Sequence, residues 1–293
     1  MSRVAYVNGR YVPQRVAAVN IEDRGYQFGD GVYEVVHVHG GCLIDADLHL
    51  ARLERSLGEI GIPVPLGRRA LRQVFAEMMR RNRVSEGLIY MQVTRGVARR
   101  EHAFPKPLPK PAVVVTIRRL PPFPRDVEAW TAAAITRPDE RWQRCDIKSV
   151  NLLANVLAKE AAHAAGAAEA IFVDAAGMVT EGASSSVWMV DREGCLCTRK
   201  LDHAVLPGCT RAALIGLMEE AGIAWRESGF AKAELAAARE IFITSASSFV
   251  KPVVRLDGRS VGEGRVGPVT RRLFALFAHH VQGAVRNAPA AAS

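Results

Sequence analysis

Two proline-rich stretches constrain this chain more than any other feature. They are FPKPLPKP at 104–111 and LPPFPRD at 120–126. Proline fixes φ and removes an N–H donor, so neither stretch can lie inside a helix or a sheet. The second stretch is the better candidate for a linker, because strand-like and helix-like segments resume directly after it. A chain of 293 residues more commonly divides into two domains than builds one core. The expected organisation is an N-terminal α/β domain over 1–120, a linker over 121–126 and a larger C-terminal α/β domain over 127–293, with the chemistry at their junction.

The segments on either side carry clear periodicities. Asn8-Gly9 separates two short strands at 4–8 and 11–12, a hairpin signal. Strands are predicted at 32–38, 88–94, 112–118, 129–135, 170–173, 186–190 and 241–244, with Gly40-Gly41 turning the first of these. Helical spacing of apolar residues predicts helices over 48–60, 67–83, 151–165, 211–221 and 269–280. In the helix at 67–83, Leu71, Val74, Phe75, Met78 and Met79 form the core stripe, and the arginines face solvent. Leu152, Leu153, Val156 and Leu157 are spaced for burial. The tail from Val285 onward is expected to fray.

Composition narrows the function classes. Hydrophobic residues make up 49% and charged residues 24%, as in an ordinary globular protein. No apolar run is long enough to span a membrane, and MSRVAYVNGR turns polar too early for a signal segment, so a cytoplasmic protein is expected. The net charge of +9 raises the question of nucleic acid, but the arginines are dispersed in pairs without a long basic run, which argues against it. The five cysteines are widely spaced and odd in number, against a disulfide framework. Cys195-x-Cys197 is a weak metal signal without a second cluster; it reads as a strand with both thiols on one face, and no metal site is expected.

Four features suggest chemistry. Lys148 stands before the apolar helix at 151–165; it is either a snorkelling surface lysine or an amine whose proton affinity is lowered by burial or by neighbouring cations such as Arg141 and Arg144. Glu181 lies in TEGASSS among small residues and is either part of a turn or the carboxylate partner of a ring nitrogen. LPGCTR at 206–211 opens a helix with Thr210 as the expected N-cap, an arrangement suited to phosphate. TSASS at 244–248 adds small residues and potential backbone donors at a strand end.

Together these pieces resemble the class IV, fold-type IV pyridoxal-phosphate (PLP) aminotransferases, and within them the D-amino-acid branch. The matching stretches are EDRGYQFGDGVYEVV at 22–36, IYMQVTRG at 89–96, RCDIKS at 144–149, NLLANVLAKEAA at 151–162, TEGASSS at 180–186, LPGCTR at 206–211 and TSAS at 244–247, in the family's order. The resemblance implies a two-domain fold of mixed α/β and α+β character, assembled as a homodimer. It makes Lys148 the Schiff-base lysine and proton-transfer base, and Glu181 the partner of the pyridine nitrogen. Arg52 would grip the cofactor phosphate, with Cys209, Thr210, Ser245 and Ala246 completing the cup and Leu206 packing on the ring. Tyr33, Arg100 and His102 would trap the substrate α-carboxylate, the last two reaching in from the partner subunit.

The implied reaction moves the amino group of a D-amino acid to a 2-oxo acid such as 2-oxoglutarate or pyruvate. Branched-chain L-aminotransferase, R-selective amine transaminase and aminodeoxychorismate lyase share the lysine and cup; Tyr33, Arg100 and His102 favour the D-amino-acid branch. A non-enzymatic basic binding protein is the alternative from another class. Two positions depart from the family pattern: Ser186 stands where asparagine is usual, and Ala246 often is threonine.

Overall fold

The computed structural model describes residues 3–286. Of the tail expected to fray from Val285 onward, Val285 and Arg286 are helical and the rest lies outside the described residues. Among the described residues the chain forms two compact units: 3–122 with 147–151 and 284–286, and 123–146 with 152–283.

The first unit is built on a six-stranded antiparallel sheet. Its strands are β1 (Val4–Val7), β2 (Arg10–Pro13), β3 (Gly31–His39), β4 (Cys42–Leu43), β5 (Gly87–Thr94) and β6 (Ala112–Arg119), in the order β2-β1-β6-β5-β3-β4. The β1–β2 hairpin turns at Asn8 and Gly9, both with positive φ, as a two-residue turn of matching twist requires. Helices α1 (Arg24–Phe28), α2 (Ala46–Glu59) and α3 (Arg68–Asn82) complete the unit. Leu50, Leu53 and Leu57 of α2 and Leu71, Val74, Phe75 and Met78 of α3 join Val32, Val36, Ile89 and Val115 in one core. The arginine face of α3 is exposed and laced by Arg80–Glu77 and Arg81–Glu77 pairs. The proline stretch 104–111 forms no strand or helix.

The second unit holds a nine-stranded mixed sheet. The strands are β7 (Ala132–Pro138), β8 (Glu169–Val173), β9 (Val179–Gly182), β10 (Ser186–Val190), β11 (Leu196–Thr198), β12 (Arg226–Glu227), β13 (Glu240–Ser245), β14 (Phe249–Leu256) and β15 (Arg259–Ser260). Their order is β12-β11-β10-β13-β14-β7-β8-β9, with β15 on β14. The parallel β7–β8 pair is connected through α4 (Leu153–Ala164), the crossover that parallel strands require. Helices α5 (Cys209–Glu220), α6 (Lys232–Ala236) and α7 (Pro268–Arg286) follow.

Four expectations are corrected. A short 3-10 turn at Glu128–Trp130 replaces the start of the predicted strand at 129, and β7 begins at Ala132. The last helix runs on to Arg286, because its apolar spacing continues through Val281. Helix α5 starts at Cys209 with Gly208 as N-cap, so Thr210 lies inside its first turn. Most consequentially, the apolar stripe of α4 is not buried: Leu153, Val156 and Leu157 are 73%, 58% and 61% exposed. The side of α4 that meets its own unit is alanine, with Ala158 and Ala162 packed among Ala170, Phe172 and Ala183.

Candidate active site

In the first unit, residues 147–151 return to lie beside β3. Tyr33 N–H donates to Lys148 O (2.9 Å), Val150 N–H donates to Gly31 O (3.1 Å), and Val32 and Ser149 form an isolated antiparallel bridge. Ile147 is anchored in the core, and Lys148 N–H donates to Ser56 Oγ of α2 (3.3 Å). Short stretches of backbone pairing thus hold the lysine in place. Its half-buried side chain carries Nζ to 4.1 Å from the Tyr33 ring centroid. Tyr33 stacks on Tyr90 at 5.6 Å. Burial, then the neighbouring Tyr33, pushes the Tyr90 phenol up to about 12, and it donates to Gln92 Oε1 (2.8 Å).

Arg52 projects from α2 onto the next residue of β3. Its Nε and Nη2 donate to the two oxygens of buried Glu34 at 2.7 and 2.9 Å, and His49 Nδ1 lies 2.8 Å from Glu34 Oε2. Burial alone would raise the Glu34 carboxyl, but the Arg52 guanidinium and His49 outweigh it and hold it well below the usual range. A fixed guanidinium results, oriented by a carboxylate and ready-made for an anion.

Arg100 and His102 lie in the exposed loop after β5. Both sit on Phe28 at the end of α1, with the Arg100 guanidinium 5.2 Å and the His102 ring 5.4 Å from its centroid. The loop is tied down from beneath. Arg24, on α1, donates to Glu101 O (2.5 Å) and His102 O (3.3 Å). Asp30 holds Arg24 and Arg95 together. Among the described residues, no hydrogen bond or ring contact joins Arg100 or His102 to Tyr33. These three sequence-predicted residues are therefore not one cluster within a single chain.

In the second unit, the predicted residues do converge. Glu181 lies on β9, not in a turn, and is ion-paired with Arg141. Leu206 N–H donates to its other oxygen (3.0 Å). Two residues on, Gly208 caps α5 without a side-chain cap, and a Cβ placed there would fall 2.7 Å from Ser186 Oγ. Ser186 in turn pairs across the sheet with Thr244, directly before Ser245. The start of α5, with buried Thr210, and the β13–β14 turn, with Ser245 and Ala246, are thus drawn to one place through Ser186. Ser245 Oγ lies 2.7 Å from Ser248 Oγ and accepts from Ser248 N–H (3.2 Å). Helix start, hydroxyls and turn backbone are the donor chemistry that a phosphate group takes.

Arg141 is the residue whose role the sequence did not disclose. Its guanidinium is buried and shared between two carboxylates, Asp139 and Glu181, with Nη2 also donating to Thr180 Oγ1 (3.3 Å) and Ala204 O (3.0 Å). Arg144 is likewise paired, with Asp146. Neither is the uncompensated cation suggested as a neighbour for Lys148. The Asp139 carboxyl, raised by burial, is brought below its ordinary value by Arg141 and Thr180. Burial, opposed by Arg141, pushes the nearby Cys145 thiol up to about 11, so it adds no charge at neutral pH. Asp139, Arg141 and Glu181 together carry one net negative charge, a sign that suits a protonated ring nitrogen. The residues present therefore fit PLP at both ends, with a carboxylate for the ring and an anion cup for the phosphate.

Comparison with known proteins agrees with this geometry. A family model described as amino-transferase class IV matches residues 31–256. The D-alanine aminotransferase of Bacillus licheniformis is 41% identical over 266 residues, covering 91% of this chain and 93% of that one. That of Staphylococcus haemolyticus is 40% identical over 277 residues, covering 94% and 97%. The branched-chain amino acid aminotransferase from Escherichia coli superposes with a TM-score of 0.84 at 25% identity, over 95% and 94% of the two chains. The branched-chain aminotransferase of the archaeon Thermoproteus uzoniensis, solved with norvaline, gives 0.83 at 25%, over 97% and 96%. With one family model spanning most of its length and two relatives near 40% identity, the chain belongs to the class IV aminotransferases.

Proposed function

We propose that the protein is a PLP-dependent transaminase that moves the amino group of a D-amino acid to a 2-oxo acid, with 2-oxoglutarate or pyruvate as acceptor. The observation that carries this reading is the buried Asp139–Arg141–Glu181 cluster, with its net negative charge and its link through Leu206 to the start of α5. Identity near 40% to D-alanine aminotransferases over almost the whole chain favours the D-amino-acid branch over the branched-chain enzymes, which share the fold at 25%.

When bound, PLP supplies an electron sink that stabilises negative charge at the substrate α-carbon. Lys148 would provide the amine that holds the cofactor and would move the substrate α-proton. Glu181 holds the ring nitrogen in its protonated state, and Arg141 orients the Glu181 carboxylate. Arg52, fixed by Glu34, binds the phosphate together with the first turn of α5 through Cys209 and Thr210 and with the turn at Ser245 and Ala246. Leu206 covers one ring face. Tyr33, Arg100 and His102 bind the substrate carboxylate, arginine offering a planar fork of donors.

The proposal includes a homodimer in which Arg100 and His102 serve the partner's substrate. The exposed stripe Leu153, Val156 and Leu157 supports it, since an apolar helix face of this kind marks an interface. No helix among the described residues is long and apolar enough to cross a membrane. A cytoplasmic location belongs to the same proposal; the five cysteines, none in a disulfide, suit a reducing compartment.

The deciding experiment is a half-reaction of the PLP form against a panel of D- and L-amino acids, followed by cofactor absorbance. Conversion to the pyridoxamine form with the D-enantiomers is expected. Conversion with L-branched-chain substrates alone would overturn the assignment. Arg100→Ala is expected to lower kcat/KM for amino acids by about 10²-fold while leaving uncharged amines nearly unchanged.

A further inference from the structure

The hairpin between β10 and β11 gathers three metal-binding side chains that the proposed transamination does not use. Asp191 follows the last residue of β10, and Gly194, with φ of +87°, closes the turn. Asp191 N–H donates to Cys195 O (3.0 Å), and Cys195 N–H donates to Asp191 Oδ1 (2.7 Å), which fixes the carboxylate against the turn. Cys197 then enters β11, paired with Met189. Residues two apart on an extended chain share a face, so the Cys195 and Cys197 thiols point the same way. The two Sγ atoms and an Asp191 oxygen all lie within 4.8 Å of one another, with Cys197 Sγ 4.0 Å from Asp191 Oδ2.

We propose that Asp191, Cys195 and Cys197 form a site for a thiophilic divalent cation of the zinc class. Tetrahedral zinc with Zn–S bonds of about 2.3 Å separates two sulfurs by about 3.8 Å. Contraction by about 1 Å or less brings the present arrangement to that geometry. On binding, both thiols release their protons to solvent, and two thiolates and one carboxylate hold the ion with one negative charge in excess of its two positive ones, with water in the fourth position. Asp191 Oδ2 at present accepts from Arg226 Nη2 (3.0 Å), and that exposed guanidinium swings away when the cation takes its place. Cys197 is buried while Cys195 and Asp191 are half-buried, so the ion has an entry path from the hairpin side.

The site is separate from the cofactor residues of the same unit. Ser186, which meets the start of α5, opens β10, and Asp191 lies just past its other end. Five residues of extended strand put about 16 Å between them. Its role is therefore that of a clasp on the hairpin and not a part of the reaction.

The test is titration of the reduced, desalted full-length protein with Cd2+, read by the ultraviolet sulfur-to-metal charge-transfer band, with equilibrium dialysis of Zn2+ in parallel. One equivalent per chain is expected. Cys195→Ser should weaken binding by about 100-fold or more, and Asp191→Asn by about 10-fold. Cys42→Ser, a thiol outside the hairpin, should leave it unchanged. Cys195 is partly exposed, so its serine variant should keep the fold, checked by circular dichroism. Cys197→Ala should behave like Cys195→Ser wherever it remains folded. Absence of saturable binding, or an equivalent that survives Cys195→Ser, overturns the proposal.

Discussion

Two buried triads in this molecule are mirror images in charge. In the first unit, Asp30 is shared by Arg24 and Arg95, leaving one positive charge in excess. In the second, Arg141 is shared by Asp139 and Glu181, leaving one negative charge in excess. The positive triad meets its surplus with the molecule's own groups: Arg95 donates to Ile60 O and Gly61 O and lies 3.6 Å over the Phe104 ring, while Arg24 donates to the carbonyls of the 101–103 loop. Its work is structural, tying down the loop that carries Arg100 and His102. The negative triad is joined to a helix start and a strand turn with the donors for a phosphate. The same chemistry of one charge between two opposite ones thus serves as a brace in one place and, in the proposed function, as a receptor in the other. What distinguishes them is where the surplus charge is spent.

The largest test of this contrast falls on the lysine. Lys148→Ala should lower the transamination rate by about 10⁴-fold or more and abolish covalent retention of PLP, measured by turnover and by absorbance after gel filtration. Next, the two triads should respond oppositely to loss of one carboxylate charge. Asp30→Asn leaves two buried guanidinium groups short of a partner and should cost about 3–5 kcal/mol in urea unfolding. Glu181→Gln leaves the Arg141–Asp139 pair in place, so unfolding should shift far less while kcat falls roughly 10²–10³-fold. If Glu181→Gln destabilised the fold as much as Asp30→Asn and left kcat intact, the receptor reading would fail.

A third test concerns the exposed helix. Leu157→Asp should shift sedimentation toward monomer, since burial of one leucine contributes about 1.5–3 kcal/mol and a carboxylate reverses it. Unaltered association would remove α4 from the interface. The smallest effect is in acid. Asp139 has a folded-state pKa below its ordinary 3.8, so its contribution to stability is present above that value and is lost as pH falls through the lower one. Asp139→Asn should therefore flatten the loss of stability on acidification below about pH 3.8, seen in unfolding midpoints across pH 2.5–6.

Much of the frame was legible in the chain. The Asn8-Gly9 hairpin, the β-branched runs of β3, β5 and β6, and the stripe of α3 are local patterns, and local patterns need only φ/ψ preference and one buried face to be read. Lys148, Glu181 and the helix start after Leu206 were legible as separate pieces of chemistry. Arg141 was not, since an arginine near a lysine in sequence gives no sign of which carboxylates will fold against it. The α4 stripe misled for a related reason: spacing shows that a helix has an apolar face but not which surface will cover it, and the alanines on the other side made the contact with its own unit.

What the sequence by itself determined was the inventory: an amine at Lys148, a carboxylate at Glu181, the helix start after Leu206, the small hydroxyl residues at 244–248 and the elements that carry them, all within short windows where residue type and period decide the outcome. Only the tertiary structure decided the partners. It set Glu34 against Arg52, split Arg141 between Asp139 and Glu181, drew Ser186 to Gly208, and left Leu153, Val156 and Leu157 uncovered. Apart from the local Arg141–Asp139 pair, these pairings join residues 18 to 40 positions apart. Long-range packing fixes them, and with them the sign of charge left over at each place.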